Sequence, residues 1–247
     1  MNLKIILVLF VILACSCANE NNLISEPIVF KSEKCNDCPK VEVNLLNFLV
    51  DSKIGKTINT TLQKTVIEEL LYDEEIKAIT IEDAIQSFKE GYIALKKMHA
   101  DETVVWEATV DSKITFENKD LITILLDTYI FTGGAHGYTA KQYLNFNKKK
   151  GTIIENWELF KHKESFLEFA ETKFKIQEKI PQDKLINSTG FMFENDLFYL
   201  PKNIGFTDRG MELLYNQYEV ASYADGPVVV VLPYNEIKTF LNIKVKN

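Results

Sequence analysis

Two stretches in the first half of the chain repeat apolar residues at helical spacing. Apolar residues recur every four positions from Ile54 to Leu70, and a second stripe runs from Ile81 to Met98. Thr80 and Asp83 at the start of the second stripe resemble a capping box. One-sided stripes of this kind are core-facing surfaces of amphipathic helices. The pattern therefore predicts two helices, over 54–70 and 81–98.

The spacing of the apolar residues then changes to two. Residues 104–117 alternate between apolar and polar, residues 121–131 are apolar on both faces, and residues 138–146 alternate again. Alternation predicts strands with one solvated face, and a run without alternation predicts a central strand. Three successive strands joined by short connections form an antiparallel meander.

The remaining elements are shorter. Strands are predicted at 28–30 and 41–50, a helix at 163–179, short strands at 191–193, 197–200, 204–206, 211–220 and 228–232, and a last helix from 233. Helices segregated from runs of strands indicate an α+β fold, with one or two antiparallel meander sheets and helices packed on one face. We expect an N-terminal subdomain over 28–147 and a C-terminal one over 148–247.

The N-terminus predicts export. A basic start is followed by ten apolar residues, 5–14, too few to cross a bilayer and typical of a secretory signal peptide. Residues 12–15 (ILAC) resemble a bacterial lipobox, which predicts a signal peptide over 1–14, lipidation of Cys15 and a polar tether over 15–27. Cys17 is the rival lipidation site, and an ordinary secreted protein is the alternative. The expected location is the bacterial cell envelope, outside the cytoplasm.

Charge narrows the range of partners. The net charge is −7, and Arg209 is the sole arginine. An acidic surface argues against nucleic acid and anionic lipid as main partners. Contact with the membrane is therefore expected only through the N-terminal lipid.

Cys35 and Cys38 form a CxxC motif. In an oxidising envelope this spacing favours a small local disulfide. A redox motif would be expected at the start of a helix, whereas Pro39 and a strand-like run follow here. Exchange with Cys17, and metal or redox chemistry, remain alternatives.

One segment is conformationally unusual. Residues 133–137 (GGAHG) hold three glycines and His136, one of three histidines in the chain. Clustered glycines permit a tight reversal and close backbone approach. The segment is either a strand-to-strand turn in which His136 bonds local backbone, or a loop that offers backbone N–H groups and an imidazole to a polar ligand. Catalysis is the third alternative.

Catalytic signatures are absent from the sequence. It contains no GxSxG elbow, Walker loop, HExxH or EF-hand loop. His99 and His162 lie among lysines and polar residues, in positions typical of solvated surface. We therefore predict no catalytic residue, no metal site and no cofactor.

Three motifs in order resemble a known family. They are FTGGAHG at 131–137, LNFN at 144–147 followed by WELF at 157–160, and YEVASYADGP at 218–227 followed by LPY at 232–234. They resemble an extracytoplasmic domain of unknown function, which forms the sensor half of the anti-sigma factor RsiV and the non-catalytic N-terminal region of the peptidoglycan deacetylase PdaC. Residues of about 40–130 look like the domain that precedes it.

The resemblance implies an α+β ectodomain that recognises a lysozyme-like protein or peptidoglycan. The printed chain lacks a sigma-binding segment before Cys15 and a deacetylase domain after residue 243, so neither activity is expected to transfer. The candidate ligand residues are His136, Tyr138, Tyr223 and Asp225, which lie at predicted turns. The alternatives are an envelope enzyme acting on glycans or esters, and a structural or assembly lipoprotein.

Overall fold

The computed structural model describes residues 23–35, 37–49, 51–73, 77–99 and 104–245. The predicted signal peptide, the lipidation site Cys15 and its rival Cys17, and most of the tether lie outside these residues.

The fold contains four α-helices and nine strands within the described residues. The helices are α1 (Lys53–Leu70), α2 (Ile81–Met98), α3 (Lys163–Gln177) and α4 (Tyr234–Ile237). The strands are β1 (Ser25–Lys31), β2 (Lys40–Phe48), β3 (Glu107–Glu117), β4 (Leu121–Phe131), β5 (Tyr138–Asn147), β6 (Thr152–Ile153), β7 (Asn203–Thr207), β8 (Gly210–Tyr215) and β9 (Val228–Leu232). The predicted α+β class is confirmed.

Strands β1 to β6 form one sheet in sequence order, and β7 to β9 form a second sheet. All neighbouring pairs are antiparallel except β2 and β3, which are parallel. Helices α1 and α2 lie between β2 and β3 in the chain, and a crossover of that length is what a parallel pair requires. The predicted meander therefore corresponds to β3, β4 and β5, while β6 and the parallel pair were not predicted.

Helices α1 and α2 cover one face of the first sheet. Their apolar stripes pack on alternate residues of the strands, such as Val43, Val110 and Ile124. Ser52 caps α1, and Thr80 and Asp83 form the predicted capping box of α2. Each cap satisfies backbone N–H groups that would otherwise lack a partner at the helix N-terminus.

The second sheet covers the other face, with β7 lying against β3, β4 and β5. Polar contacts fix the two sheets together. The buried Asn145 accepts a hydrogen bond from Thr123 and donates to the carbonyl of Ile204 at 2.7 Å. Tyr143 donates to the carboxylate of Glu212 at 2.6 Å. Buried polar groups are tolerated in this interface because each has a partner.

Two predicted strands are wrong. Residues 191–193 and 197–200 are irregular and flank a 3₁₀ turn, Glu194–Asp196. The Asn187 side chain bonds both the N–H and the C=O of Phe193, at 2.8 Å each, and so occupies the groups that a sheet would pair. Apolar residues here pack into the core, and Phe193, for example, is 2% exposed.

Other boundaries differ by a few residues. Strand β1 begins at Ser25, within the segment predicted as a tether over 15–27. Strand β6 pairs with β5, so the first sheet extends past the expected subdomain boundary at 147. Strand β8 ends at Tyr215 rather than 220.

Candidate functional site

The glycine segment connects β4 to β5 as an exposed reversal. Gly133 and Gly134 have φ of +102° and +87°, values that L side chains rarely adopt. A Cβ atom at either residue would meet no other atom within 4 Å, so the backbone conformation alone explains these two glycines.

His136 is exposed at the end of this reversal and stacks on Tyr223. The ring centroids lie 3.8 Å apart with an interplanar angle of 17°. The Nδ1 atom of His136 lies 3.2 Å from the carbonyl oxygen of Gly137, and the Tyr223 hydroxyl donates to the same oxygen at 3.3 Å. The stack thus joins the β4–β5 connection to a 3₁₀ turn, Tyr223–Asp225, after the second sheet's β8.

Two further tyrosines border the stack. Gly137 lies on the ring of Tyr129, where an added Cβ would be 2.4 Å from the nearest ring carbon. Tyr218 is 56% exposed, has φ of +67°, and its ring centroid lies 5.5 Å from that of Tyr223. We call Tyr129, His136, Tyr218 and Tyr223 the aromatic patch.

An amide clamp holds the patch in place. Asn216 accepts from the backbone N–H of Lys141 and donates to its C=O, both at 2.9 Å, as a neighbouring strand would. The carboxylate of Glu219 accepts the Asn216 backbone N–H at 2.9 Å. Partial burial raises the pKa of Glu219, while the Asn216 hydrogen bond and nearby Lys202 oppose the rise. The segment carrying Tyr218 and Tyr223 is therefore fixed to β5.

Asp225, a predicted ligand residue, closes its own turn. Its carboxylate accepts from the backbone N–H of Ser222 at 3.2 Å and from the Ser222 hydroxyl at 2.5 Å. This arrangement is a capping box, so the Asp225 carboxylate stabilises the turn in which it lies.

Tyr138, the other predicted residue, lies on the opposite face of the first sheet. It pairs with Ile130, which packs on the core beneath α1 and α2, whereas Tyr129 pairs with Thr139. Paired residues of antiparallel strands share a face. Partial burial, with the charges of Glu69 and Glu219, raises the pKa of Tyr138. The structure therefore unites His136 with Tyr223 and separates Tyr138 from them.

The patch has the chemistry of a contact surface. Among the residues that the structure describes, the contacts of His136 involve the carbonyl of Gly137 and the ring of Tyr223, and neither contact brings a carboxylate to the imidazole. Within the same residues, no group of three or more His, Cys, Asp or Glu is arranged to hold a metal ion. Stacked aromatic rings with polar edges suit the binding of sugars or of protein side chains.

Two family models match the chain. Residues 32–139 match "Deacetylase PdaC", and residues 157–235 match "Protein of unknown function (DUF3298)". The resemblance predicted from the sequence is confirmed. His136 lies in the PdaC-like region, while Tyr218 and Tyr223 lie in the DUF3298 region. The aromatic patch is therefore assembled from both regions.

One relative with a named activity is similar to this chain. The peptidoglycan-N-acetylmuramic acid deacetylase PdaC of Bacillus subtilis is 24% identical over 193 residues, which are 76% of this chain and 40% of PdaC. The chain thus spans less than half the length of this relative.

Two solved DUF3298 structures share the fold. One, from Bacteroides fragilis, has a TM-score of 0.70 at 18% identity and covers 90% of this chain and 94% of its own. The other, from Pseudomonas aeruginosa PAO1, has a TM-score of 0.65 at 18% identity and covers 90% and 96%. At this identity the likeness establishes the fold alone. In the described part of the chain, no helix is long and apolar enough to span a membrane.

The CxxC motif lies in the PdaC-like region, in the connection between β1 and β2. The sulfur atoms of Cys35 and Cys38 are bonded to each other. Asp37, between them, accepts a hydrogen bond from Tyr92 at 3.1 Å and forms an ion pair with Lys96, both on α2. The Lys96 and Tyr92 hydrogen bonds lower the pKa of Asp37. The connection is thus docked on α2 and does not begin a helix, unlike redox motifs.

Sequence reasoning missed three residues of the site. Tyr129 lies in a predicted strand, and Asn216 and Tyr218 lie in the strand predicted over 211–220, which ends at Tyr215. Tyr218 begins the YEV motif of the DUF3298 region, so this motif was a signal for Tyr218, whereas Tyr129 and Asn216 lie outside the motifs.

Proposed function

We propose that this protein is a lipid-anchored binding module of the bacterial cell envelope, without catalytic activity of its own. The aromatic patch binds the ligand, which is a lysozyme-like protein or peptidoglycan. The stack of His136 on Tyr223, exposed at the end of the β4–β5 hairpin, is the observation that carries the proposal.

Rigidity of the patch supports binding. Tyrosine and histidine have only two side-chain torsions, so little conformational entropy is lost when they contact a ligand. The shared Gly137 acceptor and the Asn216 clamp fix the two halves of the patch before any ligand arrives. Preorganised aromatic residues contribute a large share of the energy in many interfaces.

The similarity to PdaC supports the proposed location at the cell envelope. Similarity to a peptidoglycan deacetylase indicates an extracytoplasmic protein at the cell envelope. The chain's net charge of −7 favours a cationic protein partner over an anionic one, because complementary charge speeds association.

Retention on immobilised lysozyme and on purified peptidoglycan tests the proposal. We expect the chain to be retained on one of the two. His136→Ala or Tyr223→Ala should weaken retention by about tenfold, which corresponds to losing about 1.4 kcal/mol at an aromatic anchor of the interface. Leu185→Ala, which alters a side chain that is 66% exposed outside the patch, should bind like the wild type.

Two outcomes would contradict the proposal. One is retention on neither ligand. The other is equal retention of all variants, which would move the site elsewhere. Turnover of peptidoglycan glycans or of ester substrates that is lost in His136→Ala would favour the enzyme alternative instead.

Anchoring needs its own test, because Cys15 lies outside the described residues. We expect the wild-type chain, expressed in a bacterium, to fractionate with membranes and Cys15→Ser to appear in the soluble fraction. An acylated cysteine carrying more than one chain binds membranes stably at about 0.8 kcal/mol per buried CH₂. Continued membrane attachment of Cys15→Ser, with release by Cys17→Ser instead, would move the lipid to the rival site.

A further inference from the structure

A second surface, distant from the aromatic patch, carries an exposed indole. Trp157 is 68% exposed, whereas Trp106 is 4% exposed. Trp157 borders a cleft of about 510 Å³ between the β5–β6 connection and the C-terminal segment after α4. The cleft begins at Asn147, the last residue of β5, and the patch lies before Tyr138, its first. Ten strand residues separate them, or about 30 Å.

The wall that carries Trp157 is fixed. Trp157 lies in a 3₁₀ turn, Asn156–Leu159, that is closed by a capping box between Glu155 and Glu158. The Asn156 side chain donates to the carbonyl of Lys202 at 2.7 Å. Asn242 donates to the carbonyls of Glu158 and Phe160, at 3.0 Å each. The indole is thus presented by a braced backbone and needs little ordering on binding.

The facing wall is the turn 147–151. The Asn147 side chain accepts the N–H of Lys150 at 2.9 Å, the Lys53 ammonium donates to the Lys150 carbonyl at 2.9 Å, and Thr57 donates to the carbonyl of Gly151 at 2.9 Å. Both walls are therefore rigid, and the space between them is preformed.

The charge at this wall comes from Lys150. Of the three consecutive lysines here, Lys148 pairs with Glu117 and Lys149 with Asp120. The Lys150 ammonium is exposed and makes no ion pair with any residue in the described ranges. Both Lys150 and Glu158 line the cleft, and the Glu158 carboxylate accepts the backbone N–H of Glu155 at 3.0 Å. Lys150 is therefore the lining residue that can accept an anionic group.

We propose that the cleft beside Trp157 binds a carbohydrate whose pyranose ring carries a carboxylate. The apolar C–H face of the ring stacks on the exposed indole, and hydroxyl and amide substituents meet Thr152 and the neighbouring polar groups. Lys150 pairs with the carboxylate. The site is separate from the aromatic patch, so the proposal goes beyond the function proposed above and does not depend on it.

N-acetylmuramic acid and N-acetylglucosamine form a matched pair of probes, because the two sugars differ by the lactyl group that bears the carboxylate. Titration of the full chain in detergent should quench the fluorescence of Trp157 saturably, since the chain has two tryptophans and Trp106 is buried. Saturation-transfer NMR of the sugars gives the same constants without using tryptophan as the reporter.

We expect the wild type to bind N-acetylmuramic acid about threefold more tightly than N-acetylglucosamine at low salt, the size of one exposed ion pair. Lys150→Gln should abolish this difference and leave N-acetylglucosamine unaffected. Trp157→Ala should weaken binding of both sugars about tenfold, as loss of a stacked ring would. Trp157→Phe should retain part of the affinity. His136→Ala should bind both sugars like the wild type.

Several results would overturn the proposal. Absence of saturable binding for both sugars would do so, as would unchanged affinity in Trp157→Ala with a native circular dichroism spectrum. Equal affinity of the wild type for the two sugars would remove the role of Lys150. A loss of sugar binding in His136→Ala would place the sugar at the aromatic patch instead.

Discussion

Replacing Phe174 by alanine is expected to lower the free energy of unfolding by about 4 kcal/mol. Phe174 on α3 is fully buried, at 0% exposure. Its ring lies 5.0 to 5.8 Å, centroid to centroid, from four other rings, those of Phe191, Phe193, Phe198 and Tyr215. Four faces of the cavity are thus lined by rings that are held in place by other contacts, so collapse into the vacated space is limited.

Urea unfolding of the wild type and Phe174→Ala measures this loss. Alanine favours helix, so a decrease in stability reports the packing defect and not a weaker α3. Leu185→Ala is the control, because an exposed apolar side chain outside such a cluster should change stability by less than about 0.5 kcal/mol. A loss below about 1 kcal/mol in Phe174→Ala would show that the aromatic cluster does not hold the second sheet to α3.

Periodicity predicted the elements whose pattern is set by one buried face. Helix α1 has its boundary within one residue of the predicted 54–70, and α2 covers the predicted 81–98. The apolar run of 121–131 is a central strand because α1 and α2 cover one of its faces and the second sheet covers the other. Local spacing determines which residues lie on each buried face, so these faces can be predicted from the sequence.

The aromatic residues of 191–200 gave a wrong prediction because their contacts are not set by local spacing. The short apolar runs 191–193 and 197–200 predicted strands, but Phe193 and Phe198 insert into a core formed around Phe174. The Asn187 side chain takes the backbone bonds of Phe193. A tertiary contact made by an asparagine six residues away leaves no periodic signal.

In the candidate site, likewise, local backbone features were predicted and contacts between distant segments were not. The glycines marked the reversal at His136, because the positive φ of Gly133 and Gly134 is a local demand of the backbone. Tyr223, whose ring stacks on His136, lies 86 residues beyond Gly137. It was a candidate residue at a predicted turn, but the sequence carried no signal for this contact. Tyr138 follows Gly137 directly, yet the register of β5 places it on the other face. Proximity in sequence therefore did not indicate a shared surface.

Alkaline pH is expected to destabilise the protein steeply above pH 10. Three buried or half-buried tyrosines donate to fixed acceptors: Tyr143 to Glu212, Tyr215 to the Tyr199 carbonyl and Tyr234 to the Thr207 carbonyl. Burial raises the pKa of all three hydroxyls, and the Glu212 carboxylate raises that of Tyr143 further. Ionisation would remove the donor and place a negative charge where water cannot solvate it.

The number of protons bound by the folded and the unfolded chain determines whether stability rises or falls with pH. Above the ordinary tyrosine pKa, near 10, the unfolded chain loses these three protons while the folded chain keeps them. The unfolded state is then favoured, so the stabilisation present below pH 10 is lost as pH rises. Three protons correspond to a fall of about 4 kcal/mol per pH unit.

Urea unfolding between pH 8 and pH 11.5 gives this slope directly. Tyr234→Phe removes one of the three hydroxyls and should reduce the slope by about 1.4 kcal/mol per pH unit, although its stability at pH 8 is lower because the Thr207 carbonyl loses its donor. Tyr218→Phe is the matched control, since Tyr218 is 56% exposed and should leave the slope unchanged. Deprotonation of lysines affects all three proteins alike and cancels in the comparison. Equal slopes in Tyr234→Phe and Tyr218→Phe would mean that Tyr234 ionises in the folded protein as readily as an exposed tyrosine.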